Sequence, residues 1–391
     1  MKLLKINIHD MPRFKGDIDI DFIARQRVDE DDKECLYCVF SNIYINPVLS
    51  FIGINASGKT TILKIISFVI NLLNNQSINN VKVKEILNDL LEGENVKITS
   101  FFYEQEKVYK LQTVIIKKIN SIDESEKLVI SDEKLWEKKV QKIKTKKNLF
   151  AFQDSDIKIE RNQKEQFLSD DVSVMIAINK EKQTGFPLRD MSIWTNHNML
   201  NILGKFPKEL LTFLDPSIEY FECSIEKKST DLRLKFYGSE EVILRSPGEI
   251  EKYLSSGTIK GINVFMNALL CFAEGGYLIV DELENHFNGE IVATLVRFFM
   301  DPKINKNGST LIYSTHYSEL LDEFERNDCI YIVRNRDGIN AENLSLILKR
   351  NDIKKSEAYE SGYLEGTVPV YEAYMALKKV LSGVGIGEDE K

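Results

Sequence analysis

The sequence predicts a mixed α/β fold in which a mixed or parallel sheet flanked by helices is joined to an N-terminal antiparallel β lobe. Three observations predict it. The chain begins with two alternating segments, "LLKINI" and "DIDIDF", on either side of a turn, which is typical of antiparallel strands. Strands and helices alternate in the last third of the chain. Several of those strands are apolar on both faces, which favours a parallel sheet covered by helices.

The individual elements follow the same patterns. "NPVLSFIG" is predicted to be a buried strand, and from Thr60 onward apolar residues recur every three or four positions, which indicates a helix. Residues 95–118 return to strand character. Toward the C-terminus, the sequence predicts helices at "GINVFMNALLCFA" and "EIVATLVRFFM", and strands at "GYLIVDE", "STLIYSTH" and "DCIYIVR".

These patterns divide the chain into four segments. Residues 1–118 are expected to form the first half of the fold with its antiparallel lobe, and residues 246–380 the second half. Residues 119–245, which are more polar and of mixed periodicity, are expected to form an inserted helical or α+β subdomain. The glycine-rich acidic end, residues 381–391, is predicted to be disordered.

Composition narrows the class of protein. The 391 residues include no apolar run of about 20 residues, so no membrane-spanning helix is expected. Five cysteines do not indicate a disulfide framework, and the CxxC of Cys35 and Cys38 lacks a second ligand pair at zinc-site spacing. We therefore expect a reduced, cytoplasmic protein. Its net charge of −8 argues against an extensive nucleic-acid-binding surface but does not exclude a local basic patch.

The segment "FIGINASGKTTIL" has the spacing of a phosphate-binding loop, in which a glycine is followed after four residues by Gly-Lys-Thr. Glycines permit a tight loop whose N–H groups surround phosphate oxygens, and the following helix adds its N-terminal dipole. Lys59 would reach the β- and γ-phosphates, and the Thr60 hydroxyl would coordinate Mg²⁺. A chance match is the alternative, but the strand before the loop and the helix after it favour a phosphate site. The predicted nucleotide contacts here are Gly53, Asn55, Ala56, Ser57, Gly58, Lys59, Thr60 and Thr61.

Two carboxylates, Asp281 and Glu282, end the apolar strand in "YLIVDELENHF". Parallel sheets bind ligands at the carboxyl ends of their strands. At that edge Asp281 would hold Mg²⁺, and Glu282 would orient a water molecule for attack on the γ-phosphate. A solvated acidic turn is the alternative interpretation.

Two further motifs contain groups that could contact phosphate. "YLSSGTIKG" places Ser255, Ser256 and Gly257 at the start of a predicted helix, where hydroxyl and N–H donors could bind an anion. In isolation this motif is simply a helix N-cap. His316 follows another buried strand, where an imidazole could hydrogen-bond a γ-phosphate, although a lone histidine is usually a surface or core residue.

Taken in this order, the motifs resemble the ABC-type ATPase heads of the SMC/RecF/OLD-like group. "LSSGT" is similar to that group's signature motif, "LIVDELENHF" to its Walker B strand and D-loop, and "STHYSELLD" to its switch-histidine loop. The resemblance implies ATP and Mg²⁺ as ligands and catalytic roles for Lys59, Glu282 and His316. It also implies a pair of heads in which Ser255 and Gly257 of one copy contact the γ-phosphate bound by the other.

The sequence departs from the family's pattern at three places. The signature ends in Thr258, where transporters have glutamine, and the D-loop "LENHFN" is not the transporter form. Family heads often carry a glutamine on the lobe that joins the two halves. Gln105 and Gln112 lie in roughly that region, but neither has a recognisable context.

The use of the hydrolysis energy stays open at this point. The chain resembles bacterial AAA-type ATPases of abortive-infection and phage-defence systems, including Septu and PARIS, and "RNDIKKSEAYESGYLEGTVP" is similar to a segment that such proteins carry. This resemblance implies a sensor that controls a partner effector, such as a nuclease, from an adjacent gene. A RecF-like DNA-repair ATPase is the alternative, and a self-contained nuclease is less expected because few residues follow His316.

A lysine-rich segment is the candidate surface for DNA. Residues 134–147, "KLWEKKVQKIKTKK", contain seven lysines and one glutamate and could bind a phosphate backbone. A solvated helix face is the plainer interpretation. Trp136 is expected to belong to the core rather than to stack on bases.

Overall fold

The computed structural model describes residues 1–119, 124–143, 145–161, 168–182, 184–194, 199–201, 204–226, 229–350, 353–367 and 371–382. Its strands are β1 (Lys2–His9), β2 (Ile18–Asp21), β3 (Tyr37–Phe40), β4 (Ile43–Ile45), β5 (Val48–Ile52), β6 (Asn95–Glu104), β7 (Lys107–Ile119), β8 (Glu126–Lys139), β9 (Ile157–Glu160), β10 (Leu188–Asp190), β11 (Gly204–Lys205), β12 (Ile218–Glu226), β13 (Ser229–Phe236), β14 (Val242–Leu244), β15 (Tyr277–Val280), β16 (Thr310–Thr315), β17 (Ile330–Asn335) and β18 (Ile339–Asn343). Its α-helices are α1 (Lys59–Leu73), α2 (Lys146–Phe150), α3 (Met175–Lys182), α4 (Lys208–Leu214), α5 (Ser256–Glu274), α6 (Gly289–Met300), α7 (Leu344–Ile347), α8 (Lys355–Glu360) and α9 (Tyr371–Leu381). Most of the tail predicted to be disordered, residues 383–391, lies outside the described residues.

An antiparallel sheet with the order β2-β1-β6-β7-β8-β9 forms the N-terminal lobe. Each neighbouring pair is antiparallel, which confirms the predicted lobe. The boundary expected at residue 118 falls inside the β7–β8 hairpin, because β8 pairs with β7 along its length. The alternation of polar and apolar residues did not predict β8 as a strand, because two of its charged residues, Glu133 and Lys138, are buried.

The second sheet has the order β10-β15-β16-β5-β17-β18. Its strands are parallel except for β18, which pairs antiparallel with β17 at the edge. On β5, Leu49 and Phe51 pack into the same apolar cluster as α1, whereas Val48 and Ile52 pack into the cluster that contains α5 and α6. Helices therefore cover both faces, which is why the central strands are apolar throughout. The predicted mixed α/β class is confirmed.

A small antiparallel sheet with the order β11-β12-β13-β14 lies in the middle of the chain. Its core includes Leu211 of α4 together with Ile259 and Ile262 of α5. The segment 119–245, expected to be a single insertion, is thus divided: β8 and β9 extend the N-terminal lobe, and only the later part forms this separate sheet.

The lysine-rich segment 134–147 begins as strand and not as the solvated helix face of the plainer interpretation, since β8 runs to Lys139 and α2 starts only at Lys146. Trp136 is buried, and the Lys110 ammonium lies 4.2 Å from the centroid of its ring. The expected core position of Trp136 is confirmed. No helix in the described part of the chain is long and apolar enough to cross a membrane.

Candidate functional site

Sheet topology brings three of the predicted motifs to one edge. Strands β15, β16 and β5 are adjacent and parallel, so their carboxyl ends lie side by side. The residues that follow these ends are Asp281, His316 and Gly53, respectively. The edge is therefore the expected position for a ligand in a parallel α/β sheet.

The loop between β5 and α1 needs both of its predicted glycines. A Cβ on Gly53 would lie 2.3 Å from the Val333 carbonyl oxygen, which is closer than any real contact. Gly58 has φ of +100°, and a Cβ there would meet the Ile339 side chain at 2.6 Å. The loop therefore folds tightly against the sheet and leads directly into α1, a helix of 15 residues whose N-terminal N–H groups attract anions.

Lys59 lies at the centre of the site and is only 6% exposed. Its ammonium donates to the carbonyl oxygens of Gly53 (2.8 Å) and Ile54 (3.1 Å) and lies 3.3 Å from His316 Nδ1. Burial lowers the pKa of Lys59, while the carboxylates of Asp281, Glu284 and Glu282 oppose that shift. The loop thus holds a cation next to its own N–H groups, as a phosphate site requires.

Thr60 and Asp281 form a pair of oxygen groups suited to a hard cation. The Thr60 hydroxyl donates to Asp281 Oδ2 at 2.7 Å, and Asp281 Oδ1 accepts from the Ser314 hydroxyl at 2.5 Å. Proteins usually hold Mg²⁺ with one or two such groups plus phosphate oxygens rather than with an all-protein cage. The described residues contain no group of three or more His, Cys, Asp or Glu side chains that could hold a metal ion.

Glu282 and His316 face each other across the cleft. Glu282 Oε1 lies 3.7 Å from His316 Nε2, and Glu282 Oε2 accepts from the Asn285 amide at 2.5 Å. The backbone N–H of His316 donates to Glu284 Oε1 at 2.5 Å, which fixes the start of the loop that follows β16. His316 therefore bridges Lys59 and Glu282.

A cleft of about 730 Å³ lies here, and Lys59, Thr60, Glu282 and His316 line it. The predicted residues Gly53 and Asp281 do not line it themselves, but each bonds to a residue that does. Sequence reasoning predicted most of its wall: Asn55, Ala56, Ser57, Gly58, Lys59, Thr60, Thr61, Glu282 and His316. It missed Arg13, Asn335, Gly338 and Ile339. Asn335 donates to the Ala56 carbonyl oxygen at 3.2 Å and could have been found, because it ends a buried strand, as the predicted acidic residues do. Arg13 pairs with Asp89 and gave no sequence signal beyond its place in a turn.

The signature-like residues lie outside this cleft. Ser255 is the N-cap of α5, and its hydroxyl accepts from the Thr258 N–H at 3.0 Å. The Ser256 hydroxyl lies 3.1 Å from His286 Nδ1, and a Cβ on Gly257 would lie 2.3 Å from the His286 carbonyl oxygen. None of the three lines the cleft of its own chain.

Neither candidate for the lobe glutamine lines the cleft. Gln105 lies in the β6–β7 turn, where its side chain accepts from Lys182 at 3.0 Å. Gln112 lies within β7, opposite Thr99 and Lys134. The described part of the chain therefore assigns no nucleotide contact to either glutamine.

The cleft has the form of a P-loop nucleotide site, with a glycine loop, a lysine, a hydroxyl–carboxylate pair and a glutamate at one sheet edge. No protein-family model and no curated protein matches the chain. Among solved structures, the SMC head domain from Thermotoga maritima is similar to it, at 11% sequence identity and a TM-score of 0.41, over 88% of this chain and 99% of that one.

Proposed function

We propose that the protein binds and hydrolyses ATP as an ABC-type ATPase with Mg²⁺ as its cofactor. The observation that carries the proposal is the convergence of Lys59, the Thr60–Asp281 pair and Glu282 on one cleft behind a phosphate-binding loop. Thr60 and Asp281 would hold Mg²⁺, which when bound neutralises charge on the β- and γ-phosphates.

Each remaining side chain has a task that its position supports. Lys59 supplies positive charge to the phosphates from within the loop. Glu282, whose carboxylate is oriented by Asn285, positions the attacking water at the mouth of the cleft. His316 lies between the two and donates to the terminal phosphate.

Two substitutions test the site. Lys59→Ala should lower ATP affinity by at least about tenfold, because the loop loses its cation. Glu282→Gln should keep binding but lower kcat by about 10²–10³-fold, because the amide cannot take a proton. Lys64→Ala is the matched control, since Lys64 lies on the same helix and pairs with Glu85 outside the cleft. Unchanged hydrolysis in Glu282→Gln would refute the catalytic assignment.

We further propose that two copies of the chain share each ATP. Support comes from Ser255, Ser256 and Gly257, which lie at the N-terminus of a 19-residue helix yet do not reach the cleft of their own chain. A second copy could present that helix end to the terminal phosphate. ATP would then close the pair, and hydrolysis would open it.

Mixing two inactive variants tests this pairing. A mixed pair of Lys59→Ala and Ser255→Ala subunits contains one intact composite site, because the intact loop and the intact signature come from different chains. Random pairing should therefore restore about a quarter of the wild-type activity, as expected when defective sites are independent. If each chain acts alone, Ser255→Ala keeps its own activity, because Ser255 does not reach the cleft of its chain. That result, or a mixture of two inactive variants that recovers no activity, refutes the pairing.

For the biological role, we propose a sensor or regulator in a bacterial anti-phage or toxin system that controls a partner effector. The lysine-rich segment gives little support to the alternative of direct DNA binding. Lys138 donates to the carbonyl oxygens of Asn148 and Ala151, and Lys146 donates to those of Ala24 and Gln26. Lys134 pairs with Glu160. Among the described lysines of this segment, those classed as exposed are Lys139, Lys142 and Lys147, while Lys144 lies outside the described residues.

Co-purification and DNA titration separate the two roles. The regulatory role predicts that the product of the adjacent gene co-purifies with this chain and is toxic only in its presence. DNA repair instead predicts tight binding that falls steeply with salt and is lost when Lys139, Lys142 and Lys147 become Gln. The matched control changes three exposed lysines elsewhere, Lys205, Lys208 and Lys252, to Gln.

A further inference from the structure

The backbone of Glu282 is held from both sides by side chains of other elements. Glu282 has φ of +44°, a left-handed conformation that is unfavourable for a glutamate. Its N–H donates to the Ser314 hydroxyl at 2.8 Å, and its carbonyl oxygen accepts from the Lys260 ammonium, also at 2.8 Å. Surrounding contacts must maintain such a conformation. These two bonds act at its two ends, and the carbonyl oxygen also accepts from the Asn285 N–H at 3.0 Å.

Lys260 is placed where a lysine is otherwise unfavourable. It lies on α5, is 7% exposed, and its ammonium lies 5.4 Å from the centroid of the Phe287 ring. Burial lowers its pKa to about 8, although the carboxylates of Glu284, Glu282 and Asp281 oppose that shift. A lysine is rarely buried unless its charge has a specific partner. For the Lys260 ammonium, the hydrogen-bond acceptor in the described structure is the Glu282 carbonyl oxygen.

The N-terminal part of α5 also contacts the far end of the turn that begins at Glu282 and ends at His286. Ser256 lies within hydrogen-bond distance of His286, and Gly257 packs directly against the His286 carbonyl oxygen. Lys260 is one helical turn further along and reaches the start of the turn at Glu282. Movement of α5 would therefore be transmitted to the segment 282–286.

We propose that Lys260 is a positioning residue that keeps Glu282 in its strained, catalytically useful conformation and links it to the position of α5. This inference rests on the proposed role of Glu282 in ATP hydrolysis. In a pair of chains, a phosphate bound at the N-terminus of α5 would act through Lys260 on the glutamate of the same chain. The signature of one site would thereby be connected to the catalytic carboxylate of the other.

Lys260→Met tests the contact, because methionine has a similar length and shape but no donor. Turnover should fall by about 10–100-fold, as expected when a catalytic group is misplaced by about an ångström. The KM for ATP and the affinity for a fluorescent ATP analogue should stay within about threefold of wild type, because Lys260 does not line the cleft. Lys260→Arg keeps a donor and should recover most of the turnover. Lys252→Met, at an exposed lysine eight residues earlier, is the control.

The outcomes separate this inference from the proposed function. If the wild type hydrolyses ATP and Lys260→Met retains its full kcat, the inference is overturned while the ATPase assignment stands. A raised KM with unchanged kcat, or no recovery in Lys260→Arg, also overturns it. If the wild type has no Lys59-dependent hydrolysis, both fail. Should Lys260→Met lose its cooperative melt, Lys260→Gln, which is one bond too short to reach the carbonyl, gives the same test.

Discussion

Ser314→Ala should impair both the stability and the catalysis of this protein, although the sequence assigns no role to Ser314, the first residue of the motif "STHYSELLD". Its hydroxyl, fully buried at the end of β16, donates to Asp281 Oδ1 at 2.5 Å and accepts from the Glu282 N–H at 2.8 Å. One small side chain thus orients the predicted metal ligand and the predicted catalytic glutamate together.

The expected loss in the free energy of unfolding follows from the two hydrogen bonds of the Ser314 hydroxyl. A hydrogen bond to a carboxylate contributes about 1.5–3 kcal/mol, and an N–H left without a partner costs about 1–3 kcal/mol. Ser314→Ala should therefore lower the free energy of unfolding by about 2.5–6 kcal/mol. It should also lower kcat by at least about tenfold, because the backbone N–H of Glu282 loses its hydrogen-bond acceptor.

Ser309→Ala is the matched control. Ser309 immediately precedes the same strand, is equally buried, and its hydroxyl donates to the Cys271 carbonyl oxygen at 2.6 Å, away from the cleft. It should cost about 1–2 kcal/mol in urea unfolding and leave kcat unchanged once the protein is folded. Equal catalytic losses in the two variants, or none in Ser314→Ala, would refute the reasoning.

Three further predictions concern the loop, the metal and pH. Gly58→Ala should weaken ATP binding in a titration by at least about tenfold, because φ of +100° and the Ile339 side chain at 2.6 Å exclude a Cβ; wild-type affinity would show that the loop tolerates one. Thr60→Val should raise the Mg²⁺ concentration needed for half-maximal turnover by about tenfold, since a ligand of Mg²⁺ is lost, and an unchanged Mg²⁺ dependence would remove Thr60 from the site. Burial lowers the pKa of Lys2 from 10.5 to about 8. Between these pH values the unfolded chain binds more protons than the folded one, so Lys2 makes the free energy of unfolding rise with pH. Urea unfolding of Lys2→Met should lack that rise, and an identical slope would contradict the assignment.

The sequence predicted those residues of the candidate site that a local sequence pattern marks. Lys59 and Thr60 follow from fixed spacing, and Asp281 and His316 follow from their positions after buried strands. The roles of Ser314 and Lys260 were not predicted, because both residues bond to backbone atoms of another element. Only the tertiary structure brings those atoms within reach.

The same limit explains why the middle of the chain was harder to predict. Glu133 is fully buried, and its carboxylate accepts from the Thr113 and Ser173 hydroxyls and from the Val174 N–H. A buried charge of this kind interrupts the alternation that marks a strand. Periodicity therefore failed at the β8 residues whose burial depends on partners distant in sequence.

The lysine-rich segment shows that a high local density of lysines in the sequence does not by itself predict a DNA-binding surface. Two of its lysines donate to backbone carbonyl oxygens and so hold residues 145–151 against the antiparallel lobe. Burial lowers the pKa of both Lys138 and Lys146, as expected for amines removed from water. A lysine engaged in this way cannot release a counterion on binding DNA, so it adds nothing to a salt-dependent affinity. Any DNA affinity of this segment would thus rest on its few exposed lysines.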